Sequence, residues 1–93
     1  MSYASITVAP ELTVADYHKI GQHLGPDPVD GLLSEVAGAS DTGLQVITVW
    51  DSKEQHDRFV AERLVPAFQT AGIRPGELRF ADVDVARMYQ RDS

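Results

Sequence analysis

The chain has 93 residues, no cysteine, and 14 acidic against 8 Lys or Arg residues, a formal charge of -6 at pH 7. That length suits one domain spanning residues 1–93, too small to bury much surface alone, so pairing with a second copy is expected. The missing thiols exclude disulfides and thiolate metal sites, and scattered cations on an acidic chain argue against a nucleic-acid partner.

Ala4-Ser5-Ile6-Thr7-Val8 alternates as a half-buried strand, ended by Pro10. Thr13 with Asp16 three residues on predicts a capping box, and Val14, Tyr17, Ile20 and Leu24 recur at helical spacing up to Gly25-Pro26. Gly25 to Gly31 reads as a loop, Leu32 to Ala37 as the second strand, Gly38 to Gly43 as a turn, and Leu44 to Trp50 as the third strand, the last two strands forming a hairpin.

Ser52 with Gln55 opens a second helix whose stripe is Phe59, Leu64, Ala67, Phe68 and Ala71, stopped by Gly72. Pro66 lies inside it and predicts a kink or two helical pieces. Gly72 to Gly76 is a loop, Leu78 to Val85 the fourth strand, and Arg87 to Ser93 a polar tail. The order β-α-β-β-α-β predicts an α+β, ferredoxin-like fold: a four-stranded antiparallel sheet with both helices on one face and the other face open. An open apolar face calls for a second subunit.

Strand alternation then divides the residues. Ile6, Val8, Ile47, Val49, Val83 and Val85 are expected under the helices. Ser34 goes with them, because a buried hydroxyl costs roughly 1–3 kcal/mol and an unpaired carboxylate far more. The open face then carries Tyr3, Ser5, Thr7, Leu33, Glu35, Val46, Thr48, Trp50, Phe80, Asp82 and Asp84. Apolar and aromatic surface with a few polar groups suits both a small-molecule pocket and a dimer interface.

Glu35 has two readings: a general acid or base in an apolar cavity, or a wet carboxylate paired with Arg79 or a partner residue. Trp50 has two also, a stacking surface for a planar ligand or interface and core. Asp82 and Asp84 share a face with Glu35 and have two readings, an acid pair or, as such alternation more often means, an exposed edge strand. His18 and His23 are five apart and do not share a helical face, and Asp57 is expected to point away from His56, so all three histidines read as surface groups and no metal site is expected.

Gly31-Leu32-Leu33-Ser34-Glu35-Val36-Ala37-Gly38, Val46 to Glu54, Glu62-Arg63-Leu64-Val65-Pro66-Ala67 and Pro10-Glu11-Leu12-Thr13 together resemble the dimeric α/β-barrel superfamily. The likeness is to short actinobacterial members related to antibiotic-biosynthesis monooxygenase-like and polyketide cyclase-like proteins, and it runs over nearly the whole chain. It implies a homodimer with its ligand between sheet and helices or inside the barrel, near Trp50. Two departures matter: Glu35 stands where relatives often have histidine, and Val83-Asp84 where they often have His-Asn. A function relying on those histidines, haem degradation included, does not carry over.

The expected function is a small cofactor-independent enzyme acting on a hydrophobic, aromatic or polyketide-like metabolite by proton transfer, cyclisation or oxygenation. Glu35 is the candidate catalytic residue; Trp50, Thr48, Tyr3, Thr7, Phe80 and Asp84 are the candidate substrate-binding residues. The alternative is a non-catalytic ligand-binding or accessory homodimer. No stretch approaches the roughly 20 apolar residues of a membrane span and MSYASITVAP lacks a basic start, so a cytoplasmic protein without a membrane partner is expected.

Overall fold

A computed structural model describes residues 2–89 and 91. The elements run β1 (Tyr3–Ala9), α1 (Val14–Gln22), β2 (Leu32–Ser40), β3 (Gly43–Trp50), α2 (Lys53–Phe59), a π-helical turn (Val60–Leu64), α3 (Val65–Ala71) and β4 (Arg79–Asp84). The four strands form one antiparallel sheet in the order β2-β3-β1-β4. This is the expected α+β, ferredoxin-like architecture. Among the described residues no helix is long and apolar enough to cross a membrane.

Local chemistry sets the boundaries. Thr13 caps α1 reciprocally: its Oγ1 accepts from the Asp16 N–H at 3.2 Å, and its own N–H donates to Asp16 Oδ2 at 2.9 Å. Ser52 caps α2, accepting from the Gln55 N–H at 3.2 Å. The β2–β3 turn is tighter than the sequence suggested. The small residues Gly38, Ala39 and Ser40 continue the strand, leaving Asp41-Thr42 between the paired residues Ser40 and Gly43. Gly43 has φ 110°, and a Cβ there would lie 2.6 Å from both the Ala9 carbonyl oxygen and Pro10 Cα. Only glycine meets both demands.

As the sequence predicts, the helix around Pro66 comes in two α-helical pieces, α2 and α3. A π-helical turn precedes the proline, with the Val65 N–H donating to the Val60 carbonyl. The wider turn makes room where the proline ring would strike the carbonyl of the turn before it. Gly72, at φ 70°, ends α3 in the left-handed conformation.

The core overturns one sequence expectation in full. Ala9, Leu12 and Leu44 form a buried cluster packed by Tyr17 of α1 and Phe68 of α3, with Val46, Ile73 and Leu78. Trp50, 1 % exposed, packs against Phe59 and His56 of α2, with ring centroids 5.4 and 5.5 Å away. The helices therefore cover the face carrying Tyr3, Ser5, Thr7, Glu35, Val46, Thr48 and Trp50. The uncovered face carries Ser34, Val36, Ile47, Val49, Ile6, Val8 and Val83, with Val36 at 62 % exposure. The residues were grouped correctly and assigned to the wrong side. Leu33 departs from the group, because a bulge between Leu32 and Ser34 takes it out of register.

Candidate active site

Strand pairing lays the helix-side residues in rows across the sheet. One row is Leu32, Trp50, Tyr3 and Asp84. The next is Glu35, Thr48, Ser5 and Asp82, polar at every position. A third is Ala37, Val46, Thr7 and Phe80. The sheet thus brings the candidate residues Glu35, Thr48, Trp50, Tyr3, Thr7, Phe80 and Asp84 onto one side, the side the helices share.

The edge position of β2 explains how Glu35 can lie there. Its side chain remains exposed at the margin of the layer, and Tyr17 of α1 donates its hydroxyl to Glu35 Oε1 at 2.7 Å. This replaces the expected pairing with Arg79, which instead lies 3.4 Å from Glu77. Burial, then the hydrogen bond to Glu35 and the charge of that carboxylate, push the Tyr17 phenol up to about 12. Tyr17 is a neutral donor across the physiological range.

Beside Glu35 in the row, Thr48 Oγ1 accepts the Trp50 indole N–H at 2.8 Å, satisfying a donor that the core would otherwise strand. The Thr48 hydrogen is then directed elsewhere. Trp50 is buried against His56 and Phe59, so it is a core residue, and the expectation of a free stacking surface is corrected.

At the other end of the layer His56 departs from the surface position expected of it. Its side chain is 18 % exposed and its ring lies 5.2 Å from that of Tyr3. His56 Nδ1 is 2.9 Å from Asp57 Oδ1, so Asp57 turns toward the imidazole and not away from it. Burial, followed by the charges of Asp82 and Asp57, raises the Tyr3 phenol above its ordinary value. His18 and His23 are exposed, as read from the sequence. Phe80, Asp82 and Asp84 lie on exposed β4, with Phe80 67 % exposed and not enclosed by the helices.

Arg63, which the sequence marks only as part of a motif and with no role, is the fixed point of the α1–β2 loop. From the π-helical turn its guanidinium donates to the carbonyls of Leu24 at 2.7 and 3.2 Å, Asp27 at 3.1 Å and Pro28 at 3.3 Å. A cation after a loop of Gly and Pro carries no sequence signal for this; Tyr17, at the right helical phase, does carry one for facing the sheet.

Among the described residues no group of three or more His, Cys, Asp or Glu side chains could hold a metal ion. A concavity of about 820 Å³ lies between the start of α1, the β2–β3 turn and Arg79. Another, of about 510 Å³, lies at the end of α3. Glu35, Thr48 and Trp50 line neither.

The fold is shared with several solved structures. A protein from Chloroflexus aurantiacus J-10-fl, provisionally named an antibiotic biosynthesis monooxygenase, superposes with a TM-score of 0.70 at 19 % identity over 97 % of this chain and 98 % of its own. Rv0793 from Mycobacterium tuberculosis gives 0.67 at 14 % identity over 97 % and 100 %. Atu4242 from Agrobacterium tumefaciens gives 0.52 at 15 % identity over 94 % and 95 %. At these identities the likeness is one of fold. No protein-family model matches the sequence, and no curated protein is significantly similar to it.

Proposed function

We propose that the protein is a homodimeric enzyme acting without a cofactor on a hydrophobic, aromatic or polyketide-like metabolite by proton transfer during cyclisation, isomerisation or oxygenation. The observation that carries this reading is the Tyr17–Glu35 hydrogen bond of 2.7 Å at the margin of the helix–sheet layer. Tyr17 occupies one carboxylate oxygen and orients the other, so Glu35 can take a proton from an acidic C–H or O–H and later return it. Thr48 offers a hydroxyl donor in the same row. The name of the Chloroflexus protein supports oxygenation among the candidate reactions. The uncovered sheet face, with Val36, Ile47 and Val83 exposed, supports the homodimer, since apolar surface of that kind gains free energy when a second copy covers it.

A second reading, a non-catalytic ligand-binding or accessory homodimer, is favoured by the tight packing around Trp50. Turnover of a phenolic anthrone in air separates the two. The enzyme reading expects Glu35→Gln to lose about 10² or more of the wild-type rate. Equal turnover by both forms refutes the acid–base role. Saturable quenching of Trp50 emission by the anthrone, with no turnover by either form, supports the second reading.

A further inference from the structure

Arg63 is a cation satisfied by neutral partners. Its four hydrogen bonds all end on backbone carbonyls of the α1–β2 loop, two on Leu24 and one each on Asp27 and Pro28. Among the described residues no carboxylate pairs with it. The guanidinium carbon stands 5.9 Å from the centre of the Phe59 ring, and that ring packs on Trp50 with centroids 5.4 Å apart. The loop therefore closes over the cation that sits beside the Phe59–Trp50 stack. Its two bounding glycines, Gly25 and Gly31, have φ of 89° and 84°, and Asp27 and Pro28 between them are exposed. Among the described residues no other side chain donates to a carbonyl of this loop.

We propose that Arg63 is the binding site for the carboxylate of an aromatic acid, and that the α1–β2 loop is the flap which this ligand opens. A carboxylate offers two charged oxygens to the guanidinium fork, a stronger match than neutral carbonyls make. The displaced Asp27 and Pro28 carbonyls belong to exposed residues and pass to water, so releasing them costs little. Gly25 and Gly31 supply the positions where the backbone turns as the flap moves. The ring of the ligand then lies along Phe59, next to Trp50, with its carboxylate where the loop carbonyls were.

This inference rests on the aromatic-ligand reading above, to which it adds an anionic group, and the test separates the two. 3-Phenylpropionate and its neutral isostere 3-phenylpropionamide are titrated into the wild-type protein at constant ionic strength. Trp50, the one tryptophan of the chain, reports binding through its emission, and amide hydrogen exchange reports residues 24–31. The carboxylate is expected to shift the emission saturably and to quicken exchange across the loop, with the amide at least about tenfold weaker. Arg63→Met is expected to remove the preference for the carboxylate. Because the two probes are compared on the wild-type protein, the test stands even where that variant folds poorly. Equal affinity for the two probes, or a preference that survives in Arg63→Met, refutes the carboxylate site and leaves the aromatic ligand standing. Carboxylate binding with loop exchange unchanged or slowed refutes the flap. No response to either probe, with the anthrone still turned over, refutes this site alone; no response to either probe and neither turnover nor binding of the anthrone refutes both readings.

Discussion

Replacing Tyr17 with Phe isolates the hydroxyl that binds Glu35. The ring packs against the Ala9–Leu12–Leu44 cluster and is retained, so no cavity opens. What is lost is one donor to a carboxylate at 2.7 Å. Hydrogen bonds to charged groups are worth about 1.5–3 kcal/mol, but Glu35 is exposed and recovers water when Tyr17 lets go. The expected destabilisation is therefore about 0.5–1.5 kcal/mol, read as a lower urea midpoint at neutral pH. The pH dependence has a fixed sign. The Tyr17 phenol is raised from 10.0 to about 12, so the folded state favours its neutral form. The wild-type advantage should be complete below pH 10 and vanish as pH rises through about 12. Ultraviolet absorbance titration below the alkaline unfolding transition should show a tyrosine ionising near 12 that Tyr17→Phe lacks. Equal urea midpoints, with the late ionisation unchanged, would refute the Tyr17–Glu35 pair and the proton-transfer reading with it.

Thr48→Val should cost about 1–3 kcal/mol by leaving the buried indole N–H of Trp50 without an acceptor, while Thr48→Ser keeps most of that stability; urea unfolding followed by Trp50 emission compares them. Gly43→Ala forces a side chain against the Ala9 and Pro10 backbone at positive φ and should cost more than about 2 kcal/mol by thermal melting. Gly38→Ala, with nothing within 4 Å of the added carbon, is the control and should change little. Arg63→Met removes the donor shared by the Leu24, Asp27 and Pro28 carbonyls, and amide hydrogen exchange should quicken across that loop with β2 and β3 unaffected.

The element order, the capping box at Thr13 and the co-facial set from Tyr3 to Trp50 were all legible in the sequence, because each rests on spacing. The side that set faces was not. β3 reads Leu44-Gln45-Val46-Ile47-Thr48-Val49-Trp50, with apolar residues at both parities, so period two identifies two faces without saying which one the helices cover. Glu35 escapes the cost of desolvation for a definite reason: the space under the helices is not uniformly dry, and β2 is an edge strand, where a carboxylate can reach water and still receive the Tyr17 hydroxyl. His56 was misplaced because a histidine early in a helix has no periodic partner to betray its burial; the Tyr3 and Trp50 rings that hold it come from distant strands.

The interval of five between Phe59 and Leu64 in the second helical stripe is itself the spacing of the π-helical turn, and the turn has a phase effect. It absorbs one residue beyond the α-helical count, setting everything after it back by about 100°. Phe59 and Ala67, eight positions apart, therefore point the same way, as seven would in an unbroken helix. The segment Val60–Leu64 holds one removable residue of slack. Shortened by one, the run would straighten into plain α-helix with the same residues still inward; shortened by two, it would roll Ala67 and Ala71 out of the interior.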